Sequence, residues 1–121
     1  MLHGRGVCSV GPQPEWLSAV KRAARQPNVF MKVSGRVESA ARSAQPMRAP
    51  GDPAFYEPWL AAAWKAFGAE RLMHGSNWPV SSRAADLGVV HGIVAAYARS
   101  CGAEAERCLL SDTSRAAYRW A

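Results

Sequence analysis

The stretch that most limits what this chain can fold into is Arg71-Leu72-Met73-His74-Gly75-Ser76-Asn77-Trp78-Pro79-Val80. A short apolar run leads into Gly-Ser-Asn and stops at Pro79, which has no N–H to give to a strand ladder. The run therefore reads as a buried strand ending near Ser76, with Asn77 and Trp78 displayed at its C-terminal mouth. Open α/β sheets and β/α barrels place their chemistry at that end of a strand. A strand followed by an ordinary polar turn is the plain reading of the same residues.

Upstream, Val29 to Val33 forms a second strand, rich in β-branched and aromatic residues and closed by Ser34-Gly35. Lys32 inside it needs water or a carboxylate for its ammonium, because an unpaired buried charge is costly. Two readings of Lys32 stand open: a group near a substrate, together with Ser34, or a lysine snorkelling at a strand end.

Helices are expected around these strands. Pro14 and Glu15 suit the first turn of a helix, with Trp16, Leu17, Val20 and Ala24 on one face and Pro27 as its end. Asp52-Pro53 is a cap followed by proline at the first helical position. Phe55, Trp59, Ala62, Ala63, Ala66 and Phe67 make the expected buried face, and Gly68 the stop. After Pro79, Ser81-Ser82 offers a cap for a helix carrying Leu87, Val90, Val94, Tyr97, Ala98 and Cys101, ended by Gly102. His91 sits beside that stripe and reads as a packing or surface histidine. A last helical region spans Ala103 to Trp120, with a break expected near Asp112-Thr113. Arg36 to Gly51 reads as a long polar loop on the side where a strand ends, where Arg36, Arg42 and Arg48 can meet a carboxylate or simply be solvated.

Strands alternating with helices argue for an α/β fold with a parallel pair. Met1 to Gly11 is Gly-rich and reads as a disordered terminus; Met1 to Ser9 lacks the apolar core of a signal peptide.

Three segments together resemble the amidohydrolase-related hydrolases, a TIM-barrel group that includes sugar-lactone hydrolases. Residues 71–80 are similar to the group's Arg-Leu-Met-Phe-Gly-Ser-Asp-Trp-Pro-Val signature. Pro27-Asn28-Val29-Phe30-Met31-Lys32-Val33-Ser34-Gly35 resembles its Pro-Asn-Val-x-x-Lys-Leu-Ser-Gly strand. Thr113 to Trp120 resembles its closing helix. Order and spacing agree across all three, from about residue 15 to the last. The resemblance implies the C-terminal portion of a (β/α)8 barrel, since 121 residues fall short of the ~250 of a complete one. It also implies hydrolysis of a lactone, amide or related carbonyl bond of a small molecule. In many members a divalent metal, zinc or manganese, activates the water.

Carried over residue by residue, the resemblance makes Asn77 the catalytic position and Ser34, Trp78 and Lys32 substrate contacts. It assigns no metal ligand here, because the group's His-x-His pair has no counterpart. The group's Asp falls on Asn77, and an amide cannot act as a general base. The alternative is a non-catalytic remnant, a small basic protein that binds a partner.

Net charge bears on that alternative. Fifteen Lys and Arg stand against nine Asp and Glu, giving +6. The arginines are scattered and no nucleic-acid-binding motif accompanies them, so nucleic acid is not an expected partner. No stretch approaches the ~18 apolar residues of a membrane span. Cys8, Cys101 and Cys108 are odd in number and lack metal-ligand spacing, so a reducing cytoplasm is the expected setting, with Cys101 and Cys108 as buried thiols. Open strand edges make a second copy of the chain an expected partner.

Overall fold

The structure is a computed structural model and describes residues 11–34, 36–41 and 49–119. The expectations placed on residues 1–10, Gly35, Arg42, Arg48 and Trp120 lie outside the described residues. The element order is α1 (Pro14–Ala24), β1 (Met31–Val33), α2 (Arg36–Ala41), α3 (Pro53–Phe67), β2 (Leu72–His74), a 3₁₀ turn (Val80–Arg83), α4 (Leu87–Ser100), α5 (Ala103–Arg107), a π-helical turn (Cys108–Asp112) and α6 (Thr113–Tyr118).

The two strands pair in parallel, with Met31 opposite Leu72, Lys32 opposite Met73 and Val33 opposite His74. The ladder is closed at both ends. Met31 N–H donates to Arg71 O at 2.9 Å, and Gly75 N–H donates to Val33 O at 3.0 Å. Parallel strands need a long crossover, and α3 supplies it. Asp52 Oδ1 accepts from Ala54 N–H at 3.0 Å, which caps the helix as the Asp-Pro pair predicts. Gly68 ends it with φ of 77°, a conformation that costs glycine no Cβ clash.

The core forms where α3 and α4 lie against the strand pair. Leu60, Leu72, Ile93, Ala98 and Leu109 are almost fully buried there. Tyr56 is also buried, because its hydroxyl donates to Pro50 O at 2.7 Å and leaves no orphan polar group. The buried stripe of α3 is therefore Tyr56, Leu60, Ala63 and Phe67. The expected stripe is turned by about a residue: Phe55 and Trp59 are only half-buried and stack on one another, with ring centroids 5.8 Å apart.

Four other expectations need correction. Arg36 to Ala41 is helical rather than loop. Val37 is buried in the core and Ala40 packs against it, so a short segment gains a partner for its apolar positions. Arg36 lies over the Trp16 ring, 5.8 Å from its centroid. Ser81-Ser82 does not cap α4; those serines belong to the 3₁₀ turn, and the N-cap position falls to Asp86. Leu87 and Cys101 are exposed and Cys108 is only partly buried, while Val90, Val94 and Ala98 of the expected α4 stripe are buried and Ile93 and Ala95 join them. The last helical region is not broken near Asp112-Thr113. The π-helical turn carries it through, and its extra residue keeps Ala105, Leu109 and Thr113 on the buried side. Thr113 Oγ1 then donates to Ala69 O at 2.7 Å, just ahead of β2.

The front of the strand pair is held by Arg71. Its guanidinium donates to Ala24 O at 3.0 Å, Gln26 O at 2.9 Å and Val29 O at 3.3 Å, and lies 5.1 Å from the Phe67 ring centroid. The first two carbonyls belong to the end of α1, where backbone acceptors have no helical donor. Arg71→Ala is expected to cost about 2 kcal/mol, since charged hydrogen bonds are stronger than neutral ones and three acceptors lose a donor together. Arg71→Lys should recover only part, because an ammonium lacks the planar fork. Urea denaturation of the three proteins measures both.

Candidate functional site

The residues at the C-terminal ends of β1 and β2 come together because the strands are parallel and in register. Ser34 follows β1 directly, and Gly75-Ser76-Asn77-Trp78 follows β2. A side-chain carbon at Gly75 would stand 3.4 Å from Ser34 Cβ and 3.6 Å from Lys32 Cδ. The two strand ends thus lie side by side at ordinary van der Waals distance, and Asn77 follows two residues later.

The turn itself has a defined geometry. Asn77 takes φ of 58°, a left-handed conformation that asparagine tolerates better than most residues. Asn77 O accepts from Ser81 N–H at 3.0 Å, and Trp78 N–H donates to Ser76 Oγ at 3.2 Å. The side chains of Asn77 and Trp78 are exposed at the mouth, Trp78 by 42%. The indole offers an apolar face, and the amide can both donate and accept hydrogen bonds.

Lys32 is exposed, and its Nζ lies 5.3 Å from the centroid of the Tyr118 ring on α6. Its charge thus rests on an aromatic face, an arrangement that stabilises a cation. It also lines, with Ser34, Arg36, Trp16 and Trp59, a cavity of about 170 Å³ on the β1 side. Ser34 borders this cavity and a smaller one of about 20 Å³ between the strand ends and α4. The structure therefore brings Ser34 and Lys32 to one cavity and Ser34 to the turn preceding Asn77 and Trp78.

Sequence reasoning gave His74 no role. It occupies the last position of β2, where the family signature has phenylalanine, and that polar residue in an apolar strand was the available signal. Its ring meets His91 of α4 with centroids 5.6 Å apart and planes at 67°. His74 Nδ1 is buried and has no hydrogen-bond partner among the described residues. Burial, and after it the neighbouring His91, holds the His74 imidazole below its ordinary 6.5.

A divalent metal fits these residues poorly. Among the described residues no three of His, Cys, Asp and Glu gather as ligands. His74 and His91 are two donors, and position 77 offers a neutral amide. No step of the chemistry is therefore routed through a metal here. Among the described residues no helix is long and apolar enough to cross a membrane.

This parallel α/β arrangement, with its polar turn at the strand ends, has clear relatives. The amidohydrolase family model matches residues 5–120, and the chain belongs to that family. It is 40% identical over 95 residues to an L-fucono-1,5-lactonase of Burkholderia multivorans, covering 78% of this chain and 31% of the relative. An L-fucono-1,5-lactonase of Burkholderia ambifaria is 34% identical over 91 residues, covering 75% and 29%. Two crystal structures of a Burkholderia multivorans amidohydrolase, one with bound HEPES and one with bound zinc, superpose with TM-scores of 0.75 and 0.74. Each is 36% identical, and the match covers 88% of this chain and 37% of theirs. The chain thus spans about a third of the length of the relatives it matches.

The His74 environment sets a pH dependence. With its folded value lowered, the unfolded chain takes up a proton at His74 first as pH falls. Stability rises with pH wherever the unfolded state binds more protons. The His74 contribution is therefore full above the unfolded value and is lost as pH drops through the folded one. The melting temperature should fall from about pH 7 to about pH 5. His74→Phe should flatten that slope, as scanning calorimetry across the range would show.

Proposed function

We propose that residues 1–121 are the last strand–helix units of a (β/α)8 barrel, the C-terminal portion of a lactone hydrolase. The substrate of the complete site is a sugar lactone of the L-fucono-1,5-lactone type. The observation that carries this reading is the parallel β1–β2 pair, which delivers Ser34 and the Gly75–Trp78 turn to one end. The names of the two curated relatives support the substrate class.

Lactone hydrolysis adds water to the ring carbonyl, expels the ring oxygen as a hydroxyl and leaves a carboxylate. In the proposed roles, the Asn77 amide hydrogen-bonds the carbonyl or orients the water, and Trp78 faces the sugar ring. Ser34 supplies a hydroxyl donor, and Lys32 offers positive charge to the carboxylate as it forms. Asn77 cannot take the proton of the attacking water, so the base belongs to residues other than these four. The zinc in one similar structure makes a metal-assisted reaction part of the proposal for the complete barrel, with its ligands outside the described residues. The proposed setting is the cytoplasm, and the proposed protein partner is a second copy of the chain. The amide at position 77 favours one other reading, a chain that binds the sugar without hydrolysing it.

Two measurements test this. The purified chain, given L-fucono-1,5-lactone with and without zinc or manganese, should show no turnover above spontaneous hydrolysis, because a barrel site is assembled from several strand ends. Turnover by this chain that disappears in Asn77→Ala would overturn the partial-site reading. Titration with the product, L-fuconate, should shift the amide resonances of Ser34, Asn77 and Trp78. Shifts confined to residues away from the strand ends would reject the assignment of these contacts.

A further inference from the structure

The small cavity between the strand ends and α4 is lined by two serines and by His74, a residue with an unpaired polar atom. It has a volume of about 20 Å³, and its polar lining is Ser34, Arg36, His74 and Ser76, with Val37 and Val90 among the apolar residues. His74 Nδ1, buried and without a partner among the described residues, needs a hydrogen bond in either neutral tautomer. An unsatisfied buried polar atom costs about 1–3 kcal/mol. A cavity of at least ~10–15 Å³ with two or more polar partners is what a buried water requires. Ser76 Oγ already accepts from Trp78 N–H at 3.2 Å, so its own proton is available to donate elsewhere. Ser34 stands across from Gly75, its Oγ 3.6 Å from where a side-chain carbon at Gly75 would be.

We propose that one buried water occupies this cavity and joins His74 Nδ1 to the hydroxyls of Ser34 and Ser76. The bridge ties the ends of β1 and β2 to the turn that carries Asn77 and Trp78, and makes His74 a positioning residue for that turn. Water can donate to the ring nitrogen or accept from it, so the link exists for both tautomers. The bridge stands whether or not the chain hydrolyses lactones.

The experiment is nuclear magnetic resonance on the intact chain at neutral pH. A long-lived water should give cross-relaxation peaks to the His74 ring and Ser34 β-protons, and these should vanish in His74→Phe. Ser34→Ala and Ser76→Ala should each shift the His74 Nδ1 nitrogen resonance by several ppm while the dispersion of the amide spectrum shows the fold retained. A shift in one serine variant alone overturns the three-way bridge, because the other hydroxyl then lies outside it. Absence of the water peaks in the wild-type chain overturns the proposal, as does a His74 resonance unmoved in both serine variants.

Discussion

The Arg71 guanidinium is the interaction on which the arrangement of this chain depends. One planar group satisfies carbonyls from Ala24, Gln26 and Val29 and lies against Phe67. It therefore joins the end of α1, the entry to β1, the end of α3 and the start of β2. Two three-residue strands supply few ladder bonds by themselves. Fixing the entry points of both strands sets the register, and the register decides which residues meet at the far end. Ser34 faces Gly75 because Met31 faces Leu72.

The opposite ends of the molecule are secured by different means. The front relies on charge meeting backbone carbonyls, and behind it Thr113 donates to Ala69 O. The mouth relies on local turn geometry: a left-handed backbone at Asn77 and a serine accepting from the Trp78 amide. Rigid anchoring below and a fitted turn above is a suitable base for a site whose exposed side chains are few. The mouth also holds His74 against His91, and the lowered His74 imidazole makes the packing there sensitive to acid.

Much of the fold was legible because its signals are local. Asp52-Pro53, Gly68 and Pro14 mark helix ends through their own backbone chemistry, and the strand at 72–74 is announced by its apolar run and the proline after it. What was not legible depends on distant partners. Arg36–Ala41 is a helix because Val37 finds the core, and no periodicity in six residues could announce that. The face of α3 turned because Tyr56 found Pro50 O as a partner for its hydroxyl. Cys101 is exposed because the inward side of α4 is chosen by α3, α5 and the 3₁₀ turn. At the mouth, Ser34, Asn77 and Trp78 could be read from strand ends, whereas His74 acquires its environment from a residue seventeen positions on, His91.

The backbone at position 77 has an evolutionary consequence. Its positive φ narrows the tolerated residues to a small set in which asparagine and aspartate are both members. The two are nearly the same shape, and their codons differ by a single base. A lineage carrying this turn can therefore pass between a neutral amide and a carboxylate without rebuilding the loop. The fold keeps the chemical identity of the strand mouth within reach of one mutation, in either direction.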